Sequence, residues 1–307
     1  MIILESPDSV VPVSGRKTAI VTIIIGDHYI STWWRLCRVS WISYAAAFGY
    51  DMIVIACPLD TSSRAQARSP AWQKLLILSQ PWADRYDRIV WLDSDIIIGP
   101  LAQDIVASSG PAEKVGLVIA GARSSSSERM AVLEQLHRGR FLPTAEHMLW
   151  DEEVKKHYRD HNVPERSVMG NTGVLVLSPA HHRDLFLHCY AGEDSGGRLY
   201  EQPLLSHEIF ERDLAVELNA RFNWGMQETL LLYVPEILRW KEQPQHLQEP
   251  ILKMVYYLVR RELQNCYFLH FYGSMNLMAT LTEEHVFGGG PLDLLLEAGA
   301  AKAEWDG

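Results

Sequence analysis

Asp93-Ser94-Asp95 is the stretch of this 307-residue chain whose residue types and spacing speak most directly of chemistry. On an extended backbone the side chains at i and i+2 point the same way, and a small serine between them leaves the main chain open to a ligand. Two carboxylates so placed would grip one hard divalent cation, Mn²⁺ or Mg²⁺, from two sides. Such a cation bridges phosphates and takes up the charge that builds on a departing diphosphate. A pattern this short also arises by chance, where a strand ends in a solvated acidic turn. Its surroundings argue otherwise: Arg88-Ile-Val-Trp-Leu92 leads into it and Ile96-Ile-Ile98 leaves it. The two charges are therefore expected inside a buried region, where uncompensated carboxylates are costly and a metal ion is the simplest compensation.

The elements that must position this motif follow from the apolar pattern. Ala19 to Ile25 is a β-branched run ending at Gly26, read as a buried strand. Apolar residues then recur at Ile30, Trp33, Trp34, Cys37, Trp41 and Tyr44, one face of a helix that Gly49 closes. Met52 to Ala56 is a second strand, so the first two strands should be parallel with a right-handed crossover. Ser69 caps the next helix and Pro70 takes its first position, with Trp72, Leu75 and Leu76 inward. The third strand runs into Asp93. Further strands are expected over 115–120, over 168–177 with Gly170, Asn171 and Gly173 interrupting it, and over 267–270. The sum is an α/β fold with a mostly parallel central sheet flanked by helices. Ligands of such sheets lie at the carboxyl ends of the strands, which singles out the loops after Ile25, with Tyr29, and after Leu92. Residues 1–16 read as a loosely held segment, 17–276 as the catalytic domain, 125–165 as an inserted or lid-like segment, and 277–307 as a C-terminal extension.

Several polar residues fall on or near these elements, each with a plainer structural reading beside a functional one. Lys74 sits on an otherwise core-facing helix, where an exposed lysine is the commoner outcome. Asn171 lies in a Gly-flanked kink, either as a turn residue or as an amide that reads hydroxyls. Glu201 and Gln202 precede Pro203, as helix-capping residues or as groups facing a ligand. His181, His182 and His285 lack any such context and read as surface residues.

The stretch Tyr86-Asp-Arg-Ile-Val-Trp-Leu-Asp-Ser-Asp-Ile-Ile-Ile-Gly-Pro100 resembles the metal-binding segment of retaining GT-A glycosyltransferases. The similarity is to the glycogenin and lipopolysaccharide galactosyltransferase family and to the mannan and xyloglucan glycosyltransferase family. Trp72-Gln-Lys74-Leu resembles their lysine-bearing helix, which would bring Lys74 to a donor diphosphate. Tyr44-Ala-Ala-Ala-Phe-Gly-Tyr50 is similar to a "YA…GY" stretch of the mannan group. Gly170-Asn-Thr-Gly-Val-Leu-Val-Leu177 resembles a strand whose asparagine, here Asn171, contacts the donor sugar. Tyr200-Glu201-Gln202 resembles an acidic-Gln pair facing the anomeric carbon, and Leu218-Asn-Ala-Arg-Phe-Asn223 the segment that follows it. His270 and Gly273 fit an HxxGxxK motif, with His270 as third metal ligand; its lysine is replaced here by Asn276. The resemblance implies a GT-A fold and transfer of a sugar from a nucleotide-sugar, by analogy a UDP-sugar, with retention of anomeric configuration. It implies metal ligands Asp93, Asp95 and His270, and donor contacts at Ile25, Tyr29, Lys74, Asp93, Ser94 and Gly273. Asn171, Glu201 and Gln202 fall at the catalytic centre, Glu201 as a conceivable nucleophile. The rival readings are an inactive nucleotide-sugar-binding protein and a DxD phosphatase. Ile97 stands where the phosphatase pattern needs a small or hydroxyl residue.

Composition narrows the partners. With 48% hydrophobic and 21% charged residues the chain has the makings of a folded globular protein. A formal net charge of −10 and no basic stripe argue against nucleic acid as partner. The acceptor, whether glycan, protein or small molecule, has no signature. Cys37, Cys57, Cys189 and Cys266 form no CxxC pair and lie in apolar surroundings, as buried free thiols would. That suits a reducing compartment, and a cytoplasmic location is expected, with no apolar run approaching the ~18 residues of a membrane span.

Overall fold

The computed structural model describes residues 1–6, 11, 14–138 and 150–288. Its strands are β1 (Ile2–Leu4), β2 (Thr18–Ile23), β3 (Asp51–Ile55), β4 (Arg88–Leu92), β5 (Ile96–Ile98), β6 (Val115–Ile119), β7 (Gly170–Leu177), β8 (Ala215–Glu217), β9 (Trp224–Gly225) and β10 (Phe268–His270). Seven of them form one sheet in the order β1-β3-β2-β4-β7-β6-β8, and β5-β10-β9 form a second. In the large sheet β7 alone runs against the rest. The β2–helix–β3 unit is parallel, as the pattern requires. β4 ends in the large sheet and β5 begins the small one, so Asp93-Ser94-Asp95 is the crossing between the two sheets. Because β7 is antiparallel to β4, its first residues, Gly170 to Gly173, lie beside the carboxyl end of β4.

Two apolar cores flank the large sheet. Trp33, Trp41, Val90, Val174 and Phe268 belong to one; Trp72, Leu75, Ile89, Leu175 and Phe186 belong to the other. Alternate residues of β4 and β7 thus feed opposite faces, as strand geometry demands. A small separate cluster of Val154, Tyr158, Val163 and Met169 packs under the segment after β6. All four cysteines are free and buried.

Several expectations are corrected. The opening segment is not wholly loop, since Ile2–Leu4 extends the sheet edge by pairing in parallel with β3. The first long helix is two, Asp27–Leu36 and Arg38–Phe48, broken at Cys37, and Trp34 is exposed rather than inward. Gly49 does close it, in the left-handed conformation, accepting no Cβ penalty. The segment Pro70–Ser79 is a 3₁₀ helix, capped by Ser69 as expected, and its tighter pitch buries Lys74, Leu75, Ile77 and Leu78 while leaving Leu76 half-buried. His182 is fully buried, its ring accepting the Ser178 amide N–H (2.9 Å). Of the inserted segment, 139–149 lies outside the described residues, as does 289–307 of the C-terminal extension. Among the described residues no helix is long and apolar enough to cross a membrane.

Candidate metal centre

The crossing from β4 to β5 is a turn at Ser94-Asp95 rather than the extended run expected of it. It is clamped from both sides. Asp93 N–H donates to the Gly173 carbonyl (2.8 Å) and Phe271 N–H to that of Asp95 (3.0 Å). From behind, the broken helix pair supplies the Cys37 thiol to the Ser94 carbonyl (3.7 Å) and the Trp41 indole N–H to that of Ile96 (2.8 Å). The turn that carries both carboxylates is thereby fixed by buried groups of three other elements, the condition for a preorganised site.

His270, at the end of β10, completes the cluster. One ligand atom from each of Asp93, Asp95 and His270 lies within 4.8 Å of the others. His270 Nε2 is 3.0 Å from Asp95 Oδ1 and 3.8 Å from Asp93 Oδ2. Its Nδ1 is 2.8 Å from the Asn223 amide oxygen, which only accepts, so Nδ1 carries the proton. Nε2 then faces two carboxylates, the position from which it would join them on a metal ion. An imidazole whose other nitrogen is held by a fixed acceptor in this way is oriented for a metal ion. Gly173 makes room for it: a Cβ there would stand 2.2 Å from His270 Cε1 and 3.0 Å from Asp93 Oδ2. The donor set of two carboxylates and one imidazole fits Mn²⁺ or Mg²⁺. Burial acts to raise the Asp95 pKa, but the charge and hydrogen bond of His270 outweigh it and hold the carboxyl below its ordinary value.

Lys74 is almost fully buried, so the exposed reading of it fails. Its ammonium lies 2.9 Å from Glu201 Oε1 and 3.2 Å from Asp93 Oδ1, and donates to the Thr172 carbonyl (3.3 Å). Burial alone would depress its pKa; Asp93 and then Glu201 reverse that and raise it. The Trp91 indole N–H also donates to Asp93 Oδ1 (2.9 Å). Three carboxylates, Asp93, Asp95 and Glu201, thus share one lysine and one histidine, which leaves the cluster anionic whenever the imidazole is neutral.

A cavity of 270 Å³ opens onto this cluster, lined among others by Ile25, Tyr29, Lys74, Asp93, Ser94 and Asp95. It brings together all the expected donor-side residues except Gly273, which lines a separate cavity. Asn171, Glu201 and Gln202 are not among the residues that line it. Asn171 accepts the Gly173 N–H (2.9 Å), Gln202 accepts the Thr172 N–H (3.2 Å), and Glu201 is held by Lys74 and the Thr172 hydroxyl (3.0 Å). Nothing in the sequence pattern singles out Asn223 or Thr172, whose partners are brought to them by the fold, while Trp91 acts locally, two residues before Asp93. The pattern also passes over Tyr200, whose half-exposed ring lines the cavity from a backbone φ of 54°.

No protein-family model and no curated protein sequence matches this chain. Solved structures do. The bifunctional glycosyltransferase WbbM matches over 93% of this chain at TM-score 0.52 and 13% identity. The chain has the GT-A glycosyltransferase fold. The chain spans 54% of the length of WbbM. A glycosyltransferase involved in glycosylation of the major capsid of PBCV-1 matches at TM-score 0.46 and 12% identity, over 86% of this chain and 100% of that one. The galactosyltransferase LgtC, solved with donor and acceptor sugar analogs, matches at 0.41 and 12%, over 87% and 98%. At 13% identity the likeness to WbbM shows the fold alone. In this chain the acidic turn, the lysine and the histidine meet at the carboxyl end of β4, where open α/β sheets bind ligands.

Proposed function

We propose that this protein is a metal-dependent glycosyltransferase that moves a sugar from a nucleotide-sugar, a UDP-sugar by analogy, to an acceptor with retention of configuration. The observation that carries the reading is the Asp93–Asp95–His270 cluster, within 4.8 Å and excess in negative charge, on a glycosyltransferase fold. A bound Mn²⁺ or Mg²⁺ would supply Lewis-acid stabilisation of the leaving diphosphate. Asp93, Asp95 and His270 would hold it; Lys74, beside Asp93 in the cavity wall, would meet diphosphate charge. Ile25 and Tyr29 would receive the nucleotide and the Ser94 main chain would add contacts, whereas Gly273, a donor contact by the resemblance, lines the separate cavity. Asn171 and Gln202 keep the start of β7 in place beneath the sugar.

Glu201 has the wrong surroundings for a nucleophile. It is 2% exposed, paired with Lys74 and bonded by Thr172, and it lies outside the cavity lining. A double displacement needs a free carboxylate beneath the sugar. Front-face substitution, with the leaving phosphate receiving the acceptor's proton, needs none and is the version we favour.

Thermal melting with Mn²⁺ plus UDP, GDP or ADP in turn tests the reading. A nucleotide at ~100 times its dissociation constant stabilises by about 2.7 kcal/mol. One nucleotide stabilising only with metal is the expected result; no shift with any pair would sink it. Turnover of the matching nucleotide-sugar then separates an enzyme from an inactive binding protein.

A further inference from the structure

A second cavity, of 440 Å³, shares no lining residue with the first. Its place follows from strand register. β9 and β10 pair in parallel with Gly225 beside His270. Two residues past Gly225 the chain puts Gln227 in the cavity wall, and three residues past His270 it puts Gly273 there. Three residues of chain span at most about 11 Å, so this wall starts within the length of one or two sugar rings from the metal ligand. Gly273 has φ 66°, and a Cβ on it would stand 2.9 Å from the Gln227 amide nitrogen. The wall is thus closed by an amide packed directly on the loop that follows His270.

The lining has the two kinds of surface that a carbohydrate presents. Leu230, Leu231, Ile237 and Leu277 give an apolar floor on which C–H faces can rest. Trp240, half-buried, adds an aromatic face, with Lys241 Nζ 5.5 Å from its ring centre. Around them Gln227, Asn276 and Thr280 offer donors and acceptors for hydroxyls. Apolar walls with a few polar groups, in a volume above about 300 Å³, are what small-ligand sites require.

We propose that this cavity is an acceptor subsite that binds a glycan, holding sugar units beyond the one that is modified. It rests on the glycosyltransferase reading for its purpose, though not for the binding itself. Asn276 acts there as a hydroxyl-binding amide on the rim.

The test is binding of the full chain to an array of immobilised oligosaccharides, without donor or metal, for wild type, Trp240→Ala and Asn276→Ala. Asn276 is exposed, so its loss leaves folding intact and guards against a Trp240 variant that merely unfolds. The wild type is expected to retain a set of glycans, and both variants to bind them about tenfold more weakly. Their stabilisation by Mn²⁺ and nucleotide is expected to match the wild type. Wild-type protein that binds no glycan, or variants that bind as the wild type does, overturns the proposal. Glycan binding without any nucleotide shift would instead leave the subsite standing and remove the glycosyltransferase reading.

Discussion

Two buried charged clusters flank His270, and they are built on opposite principles. On one side Asp93, Asp95 and Glu201 crowd around Lys74, three carboxylates against one fixed cation. On the other, Arg123 and Glu228 pair one to one (3.2 Å), and every remaining group is answered. Arg123 donates to the Gly225 carbonyl (3.0 Å) and the Thr229 hydroxyl (2.8 Å) and lies over the Trp224 ring. Glu228 accepts from Ser124 (3.2 Å) and from Tyr272 (2.8 Å), whose ring packs edge-on to His270. A neutral, satisfied pair is a strut that fixes where β9 and the loop after β10 sit. An anionic surplus facing a cavity is unfinished without a cation. Burial of charge is common to both; the balance of charge separates site from scaffold.

The largest expected effect breaks the anionic cluster. Asp95→Ala removes a ligand and should abolish metal-dependent stabilisation by nucleotide, all of the ~2.7 kcal/mol seen near saturation. Melting without metal should fall modestly, because Asp95 also gives up its contact with His270 (3.0 Å). A variant that still gains stability from metal and nucleotide would show that the cation is held elsewhere. Arg123→Met should do the reverse. It strands Glu228 in the interior at a cost of about 3–5 kcal/mol in chemical denaturation, while the surviving folded protein keeps its metal response. Adding Glu228→Gln should return much of that loss. If Arg123→Met destabilises no more than an ordinary surface change, the strut interpretation is wrong.

The contrast also marks what the sequence could reveal. The acidic turn, the strands around it and Lys74 were legible because each is local: an apolar run meeting charges, or a lysine among core residues. Gly173 stood in a quoted motif, but its reason, the closeness of His270, exists only once β7 lies beside β4. Asn223 and the Arg123–Glu228 pair were illegible for the same cause, their partners being 47 and 105 residues away. The break at Cys37 escaped because a helical stripe looks alike in one helix or two. The apolar flanks of Ser94-Asp95 suggest one extended run, but they belong to two different sheets.

Asn223 sits between the two clusters and sharpens the comparison at a smaller scale. It fixes the imidazole from behind without touching the carboxylates. Asn223→Ala should weaken Mn²⁺ binding by roughly 10–100-fold, the usual cost of losing a histidine's outer partner. Calorimetric titration with Mn²⁺ measures it, and an unchanged affinity would mean that the Asp pair alone positions the ion.

The smallest effect concerns Tyr200, next to Glu201 in the anionic cluster. A bulky residue at φ 54° is strained, and only its setting keeps it there. Its neighbour Glu201 is anchored by Lys74, and the Gln202 N–H donates to the Leu199 carbonyl (3.0 Å), so the backbone is fixed on either side. The phenol ring, by contrast, is 46% exposed and lines the metal cavity. Strain retained for a ring with little packing points to use at the cavity rather than to folding. Tyr200→Gly should therefore leave stability unchanged or raise it by up to about 1 kcal/mol, as relief of strain offsets the extra freedom of glycine in the unfolded chain. Nucleotide-sugar affinity should fall in the same variant. Were Tyr200→Gly instead to lower the melting temperature and leave ligand affinity alone, the ring would belong with Arg123 and Glu228 as scaffold, and the boundary between the two clusters would have to be redrawn on the Glu201 side.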